Sequence, residues 1–312
     1  MASVALVVSL LLLSLAQFSA GTRRLAELYR PPASDQLTYH NGGVLSGDIP
    51  VSILWYGKFT PAQRSIVSDF LLSLTSSSSA AAPPTPSVWQ WWGTIENLYL
   101  SNAATRVHLA EQVTDEQCSL GRSLTLAQID DLAASVGGNN KKKSAGSGIT
   151  LVLTDEDVAV EGFCSSRCGR HGSARPAADS AHIWVGNSAK QCPGQCAWPF
   201  HQPIHGPQGA PLVAPNADVG MDGMVMVLAT MVAGTVSNPY GDGYYQGDKG
   251  AALEACTACP GVYGSGAYPG YAGNLLVDGT TGASYNANGV GGRKFLLPAL
   301  YDPATSSCST LV

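Results

Sequence analysis

Apolar positions along the chain follow two periods, and the switches between them mark out the elements. Ile49–Tyr56 (IPVSILWY) is almost continuously hydrophobic, the pattern of a strand buried on both faces of a sheet. Thr60-Pro61 opens a helix running through Leu74, with proline at its first position and Ile66, Val67, Phe70, Leu71 and Leu74 at helical spacing. Ser87 opens a second helix, with Val88, Trp91, Trp92, Ile95, Leu98 and Tyr99 on its apolar side. Arg106–Val113 alternates as a strand, and Thr125 with Gln128 forms a capping box ahead of Leu126, Ile129, Leu132, Ala133 and Val136. Ile149–Leu153 and Ala181–Val185 are two further strands. Tyr39–Leu45 predicts a glycine-broken strand opening a hairpin. Beyond these, Lys249–Ala255 predicts a short helix, Asn274–Val277 a strand and Phe295–Leu300 a late apolar segment.

One stretch has no wet face. From Gly223 to Val236 the only polar side chains are Thr230 and Thr235, so a helix here has to be enclosed by protein, and it is too short to span a bilayer. Asn216 is the expected cap, Asp218 and Asp222 favour the N-terminus, and Ser237-Asn238-Pro239 ends the helix. The element order predicts an α/β (α+β) fold: a mixed β-sheet with helices packed around one buried central helix.

The first residues, MASVALVVSLLLLSLAQFSAG, are an uncharged apolar run with a small-residue exit, the pattern of a secretory signal peptide over residues 1–20. A flexible arm is expected over 21–37, and one domain over 38–312. Eight cysteines, Cys118, Cys164, Cys168, Cys192, Cys196, Cys256, Cys259 and Cys308, all follow the signal, so an exported chain predicts that all are oxidised and staple its loops. Only 12% of residues are charged, and the net charge of −5 argues against a nucleic-acid partner. The basic run Lys141–Lys143 sits in a Gly/Asn/Ser loop and is read as a solvated tip.

Candidate chemistry is sparse. Cys164, Cys168 and His171, with Cys192, Cys196, His201 and His205, are spaced like zinc ligands, but thiolate ligation needs reduced cysteine, so an exported chain favours disulfides over a structural zinc site. His171, His201 and His205 remain as an alternative metal set, although His171 and His205 read more simply as loop hydrogen-bonding groups. Asp155, Glu156, Asp157, Asp242 and Asp248 read as turn residues, because no calcium-loop spacing is present. Aromatic faces at the six tryptophans, Tyr244, Tyr245 and Tyr263–Tyr271 could stack on sugar rings, but Trp55, Trp91, Trp92 and Trp184 lie where core packing accounts for them. No G-x-S-x-G, P-loop or G-x-G-x-x-G occurs.

Two resemblances follow from these segments. The apolar helix with its Asn-Pro turn resembles the metal-binding helix of zincin proteases, which carries HExxH or HExxE. Aligned on Ser237-Asn238-Pro239, the two ligand slots hold Thr230 and Gly234, and the base slot holds Met231. Those side chains hold no zinc, so the resemblance implies a zincin-like scaffold without catalytic residues, metal or cofactor, its former metal space filled by Met231 and the surrounding valines. The segments YHNGGVLSGDIPVSILWYGKF, VEGFCSSRCGRHGS, HIWVGNSAKQCPGQCAWPFHQPIHGPQ and APNADVGMDGMVMVLATMVAGTVSNPYGDGYYQG together resemble the exordium-like, phosphate-induced protein 1 family of plants, from Thr38 to Cys308. That resemblance implies a secreted, apoplastic cell-wall protein that promotes or regulates cell expansion and growth in brassinosteroid response. Taken with the loss of ligands on the apolar helix, the expectation is action by binding a wall polysaccharide or an extracellular protein, with no membrane span after signal removal. The competing expectation is a carbohydrate-active or metal-dependent wall hydrolase.

Overall fold

The computed structural model describes residues 36–75, 83–137, 148–165, 167–173 and 180–312. The signal peptide, almost all of the arm and the Lys141–Lys143 loop lie outside the described residues. The main sheet is five-stranded. Its strands are β1 (Asp48–Tyr56), β2 (Arg106–Asp115), β3 (Gly148–Thr154), β4 (Gly169–Ser173) and β5 (Ser180–Gly186). They lie in the order β2-β1-β3-β5-β4, all parallel except β4, which runs antiparallel on the edge beside β5.

Alternation along the strands divides the core in two. Ile49, Val51, Ile53 and Trp55 of β1, Leu151 and Leu153 of β3, and Ile183 and Val185 of β5 point to one face. Leu54, Tyr56, Val152 and Trp184 point to the other. The first face is covered by α1 (Pro61–Ser73), α2 (Val88–Tyr99) and α4 (Val219–Ser237), the second by α3 (Leu126–Gly137). Capping boxes start three of these helices: Thr60 with Gln63, Ser87 with Gln90, and Thr125 with Gln128 exchange side-chain and backbone hydrogen bonds. The two buried indoles of α2 are satisfied, Trp91 Nε1 donating to the Pro298 carbonyl and Trp92 Nε1 to that of Thr105, each at 2.9 Å.

Helix α4 is 19 residues long, and most of its side chains are buried on every side. Its length reaches what a membrane span requires, so length does not separate the two cases; enclosure by protein does. The cap is Asp218, whose Oδ1 accepts from Met221 N at 3.0 Å, rather than the expected Asn216. Asn216 instead donates its backbone N–H and its Nδ2 to the carboxyl of Asp222, at 2.9 and 2.6 Å. Asp222 is 3% exposed, and burial pushes its carboxyl up from 3.8 to about 7 against the opposing pull of those bonds. A carboxyl with a raised folded-state pKa contributes stability that is fully present below about pH 4 and is lost as pH rises through about 7. The swing is on the order of 4 kcal/mol. Urea unfolding at pH 4 and pH 8 is therefore expected to show a pH difference that shrinks by roughly that amount in Asp222→Asn; an unchanged difference would contradict it.

Other expectations shift. Thr38–Tyr39 pairs antiparallel with Tyr244–Tyr245, not with a hairpin partner. Lys249–Ala255 contains only a single turn, Lys249–Ala251, which Asp248 caps. The 169–173 segment, read as loop, is strand β4. Cysteine pairing is also narrower than predicted. Cys164–Cys192 and Cys168–Cys196 join two turns side by side, and Cys259–Cys308 pins the C-terminal segment. Cys118 and Cys256 are free thiols, each buried among apolar side chains in a different cluster. Burial pushes both thiols up, which keeps them protonated and unreactive. Thiol titration of denatured, unreduced protein is expected to find two free sulfhydryls per chain; none would overturn this pairing.

Candidate functional site

Strand β4 faces two ways, and its alternation sorts two adjacent basic side chains. Arg170 stands opposite Trp184 and points toward α3, whereas His171 stands opposite Ile183 and points toward α4. On the α3 side Arg170 and His182 share the carboxylate of Asp130, with His182 Nε2 2.9 Å from Oδ1. Burial, reinforced by Arg170, holds His182 below its ordinary pKa despite Asp130.

On the α4 side the side chains converge. His171 Nε2 lies 2.6 Å from Glu254 Oε2, both side chains close to nine-tenths buried. The other carboxylate oxygen, Oε1, accepts from Asn238 Nδ2 at 2.7 Å, and Asn238 Oδ1 accepts from Gly243 N at 2.8 Å. Edge strand, helix end and the 254 segment are thereby tied by one continuous chain of hydrogen bonds. The backbone of Glu254 is fixed as well, its N–H donating to Thr257 Oγ1 at 2.6 Å.

This polar chain sits at the position the zincin comparison singled out. A Cβ added at Gly234 would stand 2.5 Å from Glu254 Oε2 and 3.0 Å from His171 Nε2, so glycine is what admits the pair. His171 and Glu254 occupy the space over Gly234, and Met231 lines the neighbouring cleft. Thr230 turns its hydroxyl back onto the Met226 carbonyl at 3.0 Å. The cleft between β4 and the end of α4 encloses about 470 Å³, with Arg170, His171, Met231, Tyr240, Lys249 and Glu254 on its walls.

The other sequence candidates are not brought here. His201 and His205 are exposed on the loop after the short turn Pro193–Cys196, and among the described residues no three His, Cys, Asp or Glu side chains group as a metal site requires. Asp155 is buried as a loop staple, accepting from Lys58 N at 2.6 Å and Asp157 N at 2.9 Å. Glu156 and Asp157 pair with Lys190 at 2.9 Å each. Glu254, Asn238, Asp130 and His182 were not singled out by sequence. His171 and Glu254 stand 83 positions apart, so no local spacing could have announced them.

Chemically, the His171–Glu254–Asn238 chain is a latch. The imidazole nitrogen that faces Glu254 is engaged, and the other, Nδ1, is buried without a hydrogen-bond partner among the described residues. Through its bond to Glu254 and, beyond it, Asn238, His171 ties the edge strand to the end of α4.

The comparisons with known proteins agree with one another. A family profile described as "Phosphate-induced protein 1 conserved region" matches residues 37–311. Protein PHOSPHATE-INDUCED 1 of Nicotiana tabacum is 55% identical over 97% of this chain and 96% of its own length. Protein EXORDIUM of Arabidopsis thaliana is 55% identical over 97% of each chain, and Protein EXORDIUM-like 6 of the same plant is 31% identical over 85% of this chain and 89% of its own. No solved structure matches. The chain belongs to the phosphate-induced protein 1, or exordium, family of plant proteins.

Proposed function

We propose that this is a secreted, apoplastic protein of the plant cell wall that promotes or regulates cell expansion and growth in brassinosteroid response, and that it acts by binding rather than by catalysis. One observation carries the non-catalytic part. Gly234, the second ligand slot of the zincin comparison, is closed over by the His171–Glu254 pair at 2.6 Å. Hydrolysis on such a helix needs two ligands one turn apart and a neighbouring carboxylate base; here those positions are Thr230, Gly234 and Met231. The long apolar helix beside an antiparallel edge strand supports a zincin-like scaffold that has kept the cleft and lost the chemistry.

Export is supported by the apolar N-terminal run and by three disulfides, which persist in oxidising compartments. Partners are a wall polysaccharide or an extracellular protein. The test is to incubate protein purified from extracellular fluid with isolated cell walls and, separately, with casein, with and without chelator. Retention on walls and intact casein are expected. Chelator-sensitive cleavage would contradict the reading.

A further inference from the structure

A second concavity lies away from the latch, between the loop 198–213 and the segment 270–284, and encloses about 350 Å³. That volume falls in the range of small-ligand sites, about 300–1,000 Å³. Its walls are ring faces and apolar atoms: Trp198, Tyr271, Pro203, Pro207, Leu212 and Val277. Tyr271 is packed against Tyr268, ring centroids 5.1 Å apart, and Tyr268 is 64% exposed, so the aromatic surface continues beyond the rim.

The walls are held in place before any ligand arrives. Leu212 N donates to the Pro199 carbonyl and Ser284 N to that of Val213, both at 3.0 Å. Tyr268 and Tyr271 exchange backbone hydrogen bonds, and Tyr271 OH donates to Asn274 Oδ1 at 2.9 Å. Such a surface binds without the cost of ordering loops.

Electrostatics narrow the occupant. No Asp, Glu, Lys or Arg is among the described residues that line the pocket, and nearby Asp278 is already paired with Lys294. An ionic ligand would lose its hydration and find no counter-charge. The polar groups that do line it offer both roles together: the Ser284 hydroxyl can donate, while the Tyr271 hydroxyl, its proton on Asn274, and the His201 nitrogen not turned to the Gln202 carbonyl can accept. A ligand with apolar C–H faces and hydroxyl edges matches that mixture. A polyproline segment, which offers only carbonyl acceptors, matches half of it.

We infer that this pocket is a binding site for a neutral oligosaccharide, with pyranose faces stacked on Trp198 and Tyr271. The inference rests on the reading of the protein as a wall-binding one and names the ligand class and the place. The experiment titrates purified protein with cellohexaose, a neutral β-linked glucan, by calorimetry. An acidic oligogalacturonide and a proline-rich peptide serve as comparators, and new reducing ends are assayed in the same samples. Saturable binding of cellohexaose is expected, weakened about tenfold or more by Trp198→Ala and separately by Tyr271→Ala. Trp89→Ala, which removes an exposed indole on α2, is expected to bind as wild type. Tyr271 is exposed, so its variant keeps the test valid if Trp198→Ala misfolds. Absence of cellohexaose binding, preference for the acidic oligosaccharide or the peptide, or full affinity in a folded Tyr271→Ala would each overturn the site. New reducing ends would overturn the non-catalytic reading instead.

Discussion

Replacing Glu254 by alanine is expected to destabilise the protein by about 2–4 kcal/mol, because each buried hydrogen-bonding group left without its partner costs about 1–3 kcal/mol. His171 Nε2 would lose its hydrogen-bond partner and Asn238 Nδ2 its acceptor in one step. Glu254→Gln keeps an oxygen toward one partner and should cost less. Gly234→Ala gives the sharper contrast. At an ordinary helix position this change stabilises by about 0.5–1 kcal/mol. Here the new Cβ would stand 2.5 Å from Glu254 Oε2, on a side chain that Asn238 and His171 prevent from moving aside. The sign is therefore expected to reverse, and Gly234→Ala should unfold at lower urea concentration than wild type. A stabilised Gly234→Ala, or a Glu254→Ala within about 0.5 kcal/mol of wild type, would show that the latch does not hold the fold.

The second large effect concerns the Cys259–Cys308 bridge. It closes 49 positions of chain, and through them fastens a C-terminal segment built largely from two- and three-residue strands. Such short ladders hold little by themselves. Removing the bridge is expected to cost about 4 kcal/mol from the chain entropy it withholds from the unfolded state. The double variant Cys259→Ser/Cys308→Ser is the right one, since either single change would leave a new free thiol, and Cys308→Ser would leave it three positions from Cys256. Thermal unfolding should show a large downward shift with Cys164–Cys192 and Cys168–Cys196 still formed. A shift of under about 1 kcal/mol would mean that packing around Phe295, Leu297 and Leu300 suffices.

How much of this was legible depended on whether the signal was local. Strands β1, β3 and β5 are apolar on both faces and were found within about two residues, the usual uncertainty of an element boundary. The first three helices announced themselves through capping boxes, in which a residue and its third neighbour satisfy each other. Strand β4 was missed because Gly169-Arg170-His171-Gly172-Ser173 has neither alternation of apolar residues nor β-formers; it is a strand because Val185 to Ala181 offers it a free edge. At α4 three capping-type residues compete, and the buried demand of Asp222 for donors decides that Asn216 serves it while Asp218 caps. Even cysteine parity misled: oxidation requires that two Cβ atoms meet, and Cys118 and Cys256 lie in different clusters. The absence of HExxH-type ligands at Thr230, Met231 and Gly234 could be read off the helix, but what packs over Gly234 could not, because Glu254 arrives from a Gly/Ala-rich segment distant in sequence.

The central claim is that a hydrogen-bonded His171–Glu254 pair closes over Gly234, which the proposed zincin-like reading makes a metal-ligand position. The most direct measurement is the zinc content of protein purified from extracellular fluid, determined by elemental mass spectrometry after dialysis against zinc-containing buffer and removal of free metal. The account predicts far less than one zinc per chain in the wild type. Stoichiometric zinc, lost on substitution of His171, would contradict it.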